Sequence, residues 1–121
     1  MGEAPRRRPL QHTVVRTFRA HLRARPAPAF AALDARLRPR AEATSMYTTD
    51  PAAFLIITQG DWWYRGEYRL VPDETGSNLE YTILNVAQRA RILSHIAARH
   101  VLAAAPTGFE TLVRGLRREL E

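Results

Sequence analysis

The sequence predicts an α+β fold, with antiparallel strands in the middle of the chain and an amphipathic helix at its end. Residues 53–87 contain three strand-like runs joined by two short turn signals. From Trp62 to Val71, aromatic and charged residues alternate with the period of two that is typical of a half-buried strand. From Phe109 to Leu120, apolar residues recur at helical spacing. Strands and helices thus occupy separate parts of the chain, as is typical of this class.

The composition indicates one ordinary globular domain. The 121 residues are 45% hydrophobic and 25% charged, which argues against a disordered chain and allows a single core. No apolar run approaches the roughly 20 residues of a transmembrane helix, and no apolar region follows the N-terminal arginines as in a secretory signal. We therefore expect a cytoplasmic protein without a membrane span. Cysteine is absent, which excludes disulfides and thiol catalysis.

The net charge of +6 raises the question of nucleic acid as a partner. All 18 basic residues are arginine, in a chain also rich in alanine and proline, and this bias is typical of a GC-rich genome. Only Arg6–Arg8 form a run, and the other arginines are spread along the chain. Nucleic-acid binding is therefore not expected.

The N-terminal part predicts an arm followed by a strand. Residues 1–11 contain two prolines and predict a flexible basic arm, so the domain is expected over residues 12–121. Residues 12–23 have β-branched and aromatic side chains that alternate imperfectly, which predicts the first strand. Arg16 and Phe18 lie on its more apolar face.

Prolines and apolar spacing predict the next elements. Residues 26–38 begin with prolines that suit a helix start, and Pro39 favours the end of that helix. A modest extended signal at residues 45–49 predicts a short second strand. The apolar run at residues 53–59 predicts the third strand.

The two turn signals predict the pairing of the central strands. Gly60–Asp61 suits a two-residue type II′ turn, because glycine supplies the positive φ of its first position. That turn would place Gln59 opposite Trp62 and Ile57 opposite Tyr64.

The next turn would be a four-residue loop at residues 74–77. In that register Leu70 lies opposite Tyr81, and Tyr68 lies opposite Ile83. Gly66, at the centre of its strand, indicates a bulge or a close backbone approach.

The C-terminal third predicts two helices. Residues 88–105 are alanine-rich and weakly amphipathic, with Ile92 among the apolar residues, and Pro106 interrupts them. The segment Thr107–Glu110 has the residues of a capping box, which predicts a new helix start there.

The run GEYRLVPDETGSNLEYTILNVA resembles the last hairpin of the START-like or SRPBCC (helix-grip) superfamily, which includes polyketide cyclases, lipid-transfer domains and plant Bet v 1-like proteins. In that hairpin, a strand that ends in a hydrophobic-x-Pro step leads through a Gly-containing turn to a strand with alternating hydrophobic residues. Leu70–Pro72, Thr75–Ser77 and Leu79–Ile83 occupy those places. Members usually have six strands, and too few residues lie between Pro39 and Ala87 for all of them, so the resemblance implies a shortened sheet.

The resemblance implies a sheet that wraps around the C-terminal helix and leaves an apolar cavity between them. It implies binding of a small hydrophobic molecule, a lipid or a polyketide-like compound, without a cofactor; the alternative is a cyclase or dehydratase acting in the same cavity. The implied ligand-binding residues are Arg16, Phe18, Gln59, Trp62, Tyr64, Tyr68, Tyr81, Asn85, Phe109, Leu112 and Leu116, with Leu55, Ile57, Leu70 and Ile83 completing the lining.

Each of these assignments has an alternative. Aromatic stripes of this kind usually belong to a plain core. Arg16 either faces inward, where it needs an anionic partner, or lies on an edge strand and reaches solvent. The opposite face of the sheet has the composition of an interaction surface for a partner protein or a second copy of the chain. Its residues are Trp63, Arg65, Glu67, Arg69, Leu84 and Val86.

Several other chemistries lack their motifs. The four histidines do not have the spacing of metal ligands, and no phosphate-binding loop or nucleophile elbow is present. The acidic residues are scattered, with no inward pair for general acid and base work. If the protein is an enzyme, its inward tyrosines and Arg16 are the groups that would orient and polarise a carbonyl-rich substrate.

Overall fold

The computed structural model describes residues 3–39, 46–60, 62–88 and 91–121, with side chains from residue 93 onward in the last range. Strand β1 spans Thr13–Leu22 and is followed by helix α1, Pro26–Leu37. The remaining elements are β2 (Met46–Asp50), a 3-10 turn (Pro51–Ala53), β3 (Leu55–Gly60), β4 (Tyr64–Asp73), β5 (Gly76–Asn85) and α2 (Arg91–Leu120). All five predicted strands are confirmed, although residue 45 of the second prediction lies outside the described residues.

The described strands form one antiparallel sheet in the order β1-β5-β4-β3-β2. Helices α1 and α2 contact each other on one face of this sheet, with α2 against β1 and β5 and α1 against β4 and β5. The main core lies between the helices and that face, which we call the concave face; it includes Leu22, Leu33, Ile56, Ile83 and Leu116. The predicted α+β class, in a helix-grip-like arrangement, is confirmed.

The β4–β5 turn is shorter than predicted. Asp73 pairs with Gly76, so the loop contains only Glu74 and Thr75. The Asp73 carboxylate accepts hydrogen bonds from the Thr75 backbone N–H at 2.9 Å and from Asn78 Nδ2 at 2.8 Å, and these bonds stabilise the tighter turn. The pairing therefore differs from the predicted one by two residues.

A shift of two residues leaves every side chain on its predicted face, because the side-chain period of a strand is two. Tyr68 now lies opposite Tyr81 and Leu70 opposite Leu79. The concave face of this hairpin was therefore predicted correctly although its register was wrong.

The β3–β4 register was predicted wrongly. The error places each side chain of β3 on the sheet face opposite to the predicted one. Gly60 pairs with Tyr64, so three chain positions separate the paired residues where the prediction has two; Asp61 lies outside the described residues. Gln59 therefore pairs with Arg65, on the sheet face opposite to Tyr64. Leu55 and Ile57 lie on that outer face as well.

The three-residue loop exchanges the expected roles of the two tryptophans. Trp63 is buried in the core, where its ring meets that of Tyr64 edge to face at 5.7 Å. The Trp63 carbonyl accepts a hydrogen bond from the Val86 backbone N–H at 2.8 Å. Trp62, predicted to face inward, is 43% exposed. Burial of one large aromatic side chain thus decides the loop length.

Helix α2 runs without a break through Pro106, so the prediction of two helices was wrong. A proline in a helix interior lacks one backbone donor and costs about 3 kcal/mol. Here the helix packs against the core on both sides of it, through Ala98 and through Phe109. Thr107 lies within the helix and its carbonyl accepts a hydrogen bond from Thr111 Oγ1 at 2.9 Å, so it does not start a new one. Residues 89 and 90, and the side chain of Ile92, lie outside the described residues.

The outer face of the sheet is covered by the N-terminal segment that the sequence predicts to be a flexible arm. The carbonyl of Ala4 accepts a hydrogen bond from Thr48 Oγ1 at 2.7 Å, and Ala4 packs against Leu55 and Ile57. Arg8 pairs with Glu67 at 2.8 Å. Residues 4–8 thus lie across β2, β3 and β4.

A fully buried arginine holds this segment in place. The guanidinium of Arg65, 0% exposed, donates to the carbonyls of Pro5 at 2.7 Å and Arg6 at 3.1 Å. It also donates to Gln59 Oε1 at 3.2 Å and pairs with Glu67 at 2.9 Å. Each of the three guanidinium nitrogens thus donates to at least one oxygen, as burial of such a group requires.

This burial corrects the expected interaction surface. Of the six residues predicted to form an exposed outer patch, only Arg69 is exposed. Trp63 is buried in the main core, and the other buried residues are Arg65, Glu67, Leu84 and Val86. The outer face is therefore a second packing layer around Arg65 and Glu67, whereas Arg69 and Val71 farther along β4 are exposed.

Candidate ligand pocket

A cavity of about 480 Å³ lies between the concave face and the middle of α2. Its sheet wall carries three tyrosines and its helix wall carries small and aliphatic residues. We call it the tyrosine pocket. Its lining residues are Leu37, Tyr64, Tyr68, Tyr81, Val101, Ala104, Ala105, Gly108, Phe109 and Leu112.

The register of β4 and β5 brings the tyrosines together. Tyr68 and Tyr81 are directly paired, and their rings stack with centroids 4.2 Å apart and an interplanar angle of 4°. Tyr64 lies on the same face and its hydroxyl is 2.5 Å from that of Tyr81. Thr58 Oγ1, on β3, donates to the Tyr64 hydroxyl at 3.5 Å. The sheet wall thus presents phenol hydroxyls grouped at one place.

Burial keeps the phenols of Tyr68 and Tyr81 neutral. Desolvation is the main cause that raises the pKa of Tyr81 and of Tyr68 well above the ordinary tyrosine value, and the neighbouring Tyr64 raises both further. A phenol with a raised pKa donates and accepts hydrogen bonds but does not act as a base near neutral pH. The wall is therefore suited to bind an uncharged oxygen.

Gly66 makes room for the hydroxyl of Tyr64. A Cβ added at Gly66 would overlap that hydroxyl and lie 2.8 Å from Thr58 Oγ1. Gly66 pairs regularly with Ile83, so the close approach expected at this glycine is present and the bulge is not. The glycine thereby sets the position of a polar group in the pocket.

The helix wall owes its space to small side chains. Ala104, Ala105 and Gly108 follow one another along one side of α2, and a Cβ at Gly108 would meet no atom within 4 Å. The sequence reasoning missed these residues and Val101, because it ended a helix at Pro106. The alanine-rich run before that proline is the signal that could have identified them.

The structure brings five of the predicted binding residues to this pocket: Tyr64, Tyr68, Tyr81, Phe109 and Leu112. Phe18 lies behind them, stacked on Phe109 with centroids 5.5 Å apart. Leu116 is part of the solid core.

The other predicted binding residues lie elsewhere. Gln59 is on the outer face and Trp62 is in the exposed loop, because the β3–β4 register differs from the predicted one. Asn85 is fully buried, donating to Ser94 Oγ at 2.8 Å and accepting from the Ala87 N–H at 3.0 Å, so it joins β5 to α2. Arg16 is exposed, with its guanidinium 4.9 Å from the centre of the Phe18 ring. Of the two alternatives predicted for Arg16, the structure shows the second: β1 is an edge strand, and the arginine reaches solvent.

Comparison of the chain with protein-family models, curated proteins and solved structures found no match. Within the described ranges, no group of three or more histidine, aspartate or glutamate side chains is placed to hold a metal ion. No helix in the described part of the chain has both the length and the hydropathy to cross a membrane.

Proposed function

We propose that the protein is a shortened START-like/SRPBCC domain that binds a small hydrophobic molecule in the tyrosine pocket. The observation that carries this proposal is the convergence of Tyr64, Tyr68 and Tyr81 on an otherwise apolar cavity. Small-molecule sites commonly have volumes of roughly 300 to 1,000 Å³ with few, well-placed polar groups, and the volume of about 480 Å³ falls in that range.

The lining supports a particular class of ligand. Leu37, Val101 and Leu112 provide an aliphatic wall, and Phe109 provides an aromatic one. The tyrosine hydroxyls favour a ligand with one carbonyl or hydroxyl oxygen. A lipid fragment or a polyketide-like ring compound has both features.

A cyclase or dehydratase that acts in the same pocket is the second candidate, and the paired hydroxyls of Tyr64 and Tyr81 favour it. Two hydroxyls that donate to one carbonyl oxygen of a substrate would polarise that carbonyl. The described lining includes no carboxylate or imidazole to move a proton, so binding without turnover stands first. Tyr64→Phe separates the two: lost turnover with retained binding supports catalysis, and the absence of turnover on polyketide-like substrates supports binding alone.

The pocket is tested by filling it. Gly108→Trp places a large side chain into the cavity, whereas Gly108→Ala, the matched control, adds one methyl group in open space. The uncharged dye N-phenyl-1-naphthylamine becomes fluorescent in apolar surroundings and reports occupancy. We expect saturable binding by wild type and Gly108→Ala, and at least a tenfold loss for Gly108→Trp.

Both variants should unfold at or above the wild-type temperature, because each removes a helical glycine. No saturable binding by the wild type, or equal affinity of Gly108→Trp and wild type, would contradict the proposal.

A further inference from the structure

A second and larger cavity, of about 810 Å³, is an open groove between β1 and the C-terminal half of α2. We call it the arginine groove. Of the described residues, it shares Phe109 alone with the tyrosine pocket. Its lining residues are Arg16, Phe18, Arg19, Ala20, Pro106, Phe109, Glu110, Val113, Arg114, Arg117 and Arg118.

The rim of the groove carries positive charge that the protein leaves largely unbalanced. Its described lining contains five arginines and one glutamate. Arg19 pairs with Glu80 at 3.3 Å, and Arg117 donates to the carbonyl of His21 at 3.0 Å, which leaves its charge uncompensated. In the described part of the chain, Arg16, Arg114 and Arg118 have no carboxylate partner.

The floor of the groove is apolar. The rings of Phe18 and Phe109 stack at 5.5 Å with an interplanar angle of 27°, and Val113 is buried beside them. The guanidinium of Arg16 lies over the Phe18 ring, 4.9 Å from its centre, so a cation is held directly against this floor. Guanidinium groups of arginines thus surround an aromatic and aliphatic floor.

The helix dipole explains only part of this arrangement. Basic residues are favoured in the last turn of a helix, which accounts for Arg117 and Arg118. It does not account for Arg16 on a different element, nor for the apolar floor between that strand and the helix. Clefts lined by one sign of charge concentrate the opposite charge.

We propose that the arginine groove binds a single-chain anionic amphiphile, with its phosphate or carboxylate head on Arg16, Arg114 and Arg118 and its aliphatic chain on the Phe18–Phe109 floor. Guanidinium groups bind both kinds of head through paired hydrogen bonds. Among the described residues, none that lines the tyrosine pocket is charged, so this site goes beyond the proposed function and does not depend on it.

Isothermal titration with decyl phosphate, below its critical micelle concentration, tests the site. We expect the wild type to bind it at least tenfold more tightly than either decanol or inorganic phosphate. Each methylene added from hexyl to decyl phosphate should tighten binding up to about fourfold, because a buried CH₂ contributes on the order of that factor. Affinity should fall as salt increases.

The double variant Arg114→Gln/Arg118→Gln should lose at least tenfold in affinity for decyl phosphate. Arg69→Gln/Arg99→Gln is the matched control, since both residues are exposed and lie outside the groove lining, and it should bind as the wild type does. Both pairs change the net charge equally, and exposed positions allow both to fold, which thermal unfolding checks.

Equal affinity for decanol and decyl phosphate would overturn the proposal, and so would equal affinity for inorganic phosphate. Retained affinity in the groove variant would do the same. Binding to anionic phospholipid vesicles without binding to monomeric decyl phosphate would also overturn it, because the site would then be a membrane surface contact. The uncharged naphthylamine dye should bind the groove variant as it binds the wild type, so failure here is separable from failure of the tyrosine pocket.

Discussion

Glu67→Gln tests the charged layer on the outer face of the sheet. Glu67 accepts hydrogen bonds from Arg65 at 2.9 Å and from Arg8 at 2.8 Å. Removing one partner of a buried ion pair costs about 3–5 kcal/mol. Glutamine keeps one acceptor oxygen, and Arg65 retains the carbonyls of Pro5 and Arg6 and the amide of Gln59. We therefore expect a smaller loss, of about 2–3 kcal/mol in the free energy of unfolding.

This loss translates into a measurable melting shift. Unfolding entropy is about 2.1 cal/mol/K per residue, so a 121-residue chain loses close to 4 °C of Tm per kcal/mol. Glu67→Gln should lower Tm by roughly 10 °C at pH 7. Thermal and urea unfolding followed by circular dichroism would measure it.

The pH dependence has a defined sign. Burial raises the pKa of Glu67, but the hydrogen bonds from Arg8 and Arg65 outweigh it and hold the pKa below its ordinary value of 4.5. A carboxyl with a lowered folded pKa stabilises the fold above its unfolded pKa and loses that contribution as pH falls through the folded value. The stability difference between wild type and Glu67→Gln should therefore be full at pH 7 and shrink below about pH 4.5.

Glu80→Gln is the matched control, because Glu80 pairs with exposed Arg19 at 3.3 Å. Exposed pairs contribute about 0–1 kcal/mol, so this variant should change Tm by a few degrees at most. The reasoning is refuted if Glu67→Gln costs no more than Glu80→Gln, or if its cost is unchanged in acid.

Two further predictions concern the pocket and the loop beside it. Gly66→Ala should displace the Tyr64 hydroxyl, destabilise the protein by about 1–3 kcal/mol and weaken binding of the uncharged dye; an unchanged affinity would mean that Tyr64 does not shape the pocket. Trp63→Ala should cost about 3–5 kcal/mol, whereas Trp62→Ala should cost less than about 1 kcal/mol. Urea unfolding of both tryptophan variants checks this, and similar costs would contradict the three-residue loop.

The sheet wall of the pocket was predictable because it depends on the alternation of side chains between neighbouring residues of one strand. The alternation through Tyr64 and Tyr68 assigns them to one face, and a register error of two residues does not change that face. The common face of the three tyrosines therefore follows from the sequence pattern, and the expectation of a pocket at that face came from the resemblance.

The β3–β4 loop was not predictable from local turn chemistry. Gly60 favours a two-residue turn, but burial of Trp63 and the layer on the outer face select a longer one. That layer depends on contacts between residues about 60 positions apart, such as Arg8 with Glu67. An alternation of arginine and glutamate looks like a solvated face until a distant segment covers it.

The prediction of two helices in place of α2 was wrong for a similar reason, because it relied on Pro106 as a local signal. A proline is a strong local signal for a helix boundary, yet packing through Ala98 and Phe109 keeps one helix across it. Because a helix boundary was predicted at Pro106, the small residues of the helix wall, Ala104, Ala105 and Gly108, were not predicted to line the pocket. Tertiary packing outweighs a local cost of a few kcal/mol.

Tyrosine-selective ¹³C labelling offers the most direct test of a ligand site between the tyrosines and α2. The chain has four tyrosines, of which three line the pocket and the fourth, Tyr47, donates from its hydroxyl to Asp34 Oδ1 at 2.6 Å outside the lining. On titration with uncharged 1-naphthol, the ring signals of Tyr64, Tyr68 and Tyr81 should shift together with one dissociation constant while Tyr47 stays in place. Unchanged signals from all three, or an equal shift of Tyr47, would contradict a ligand site at this wall.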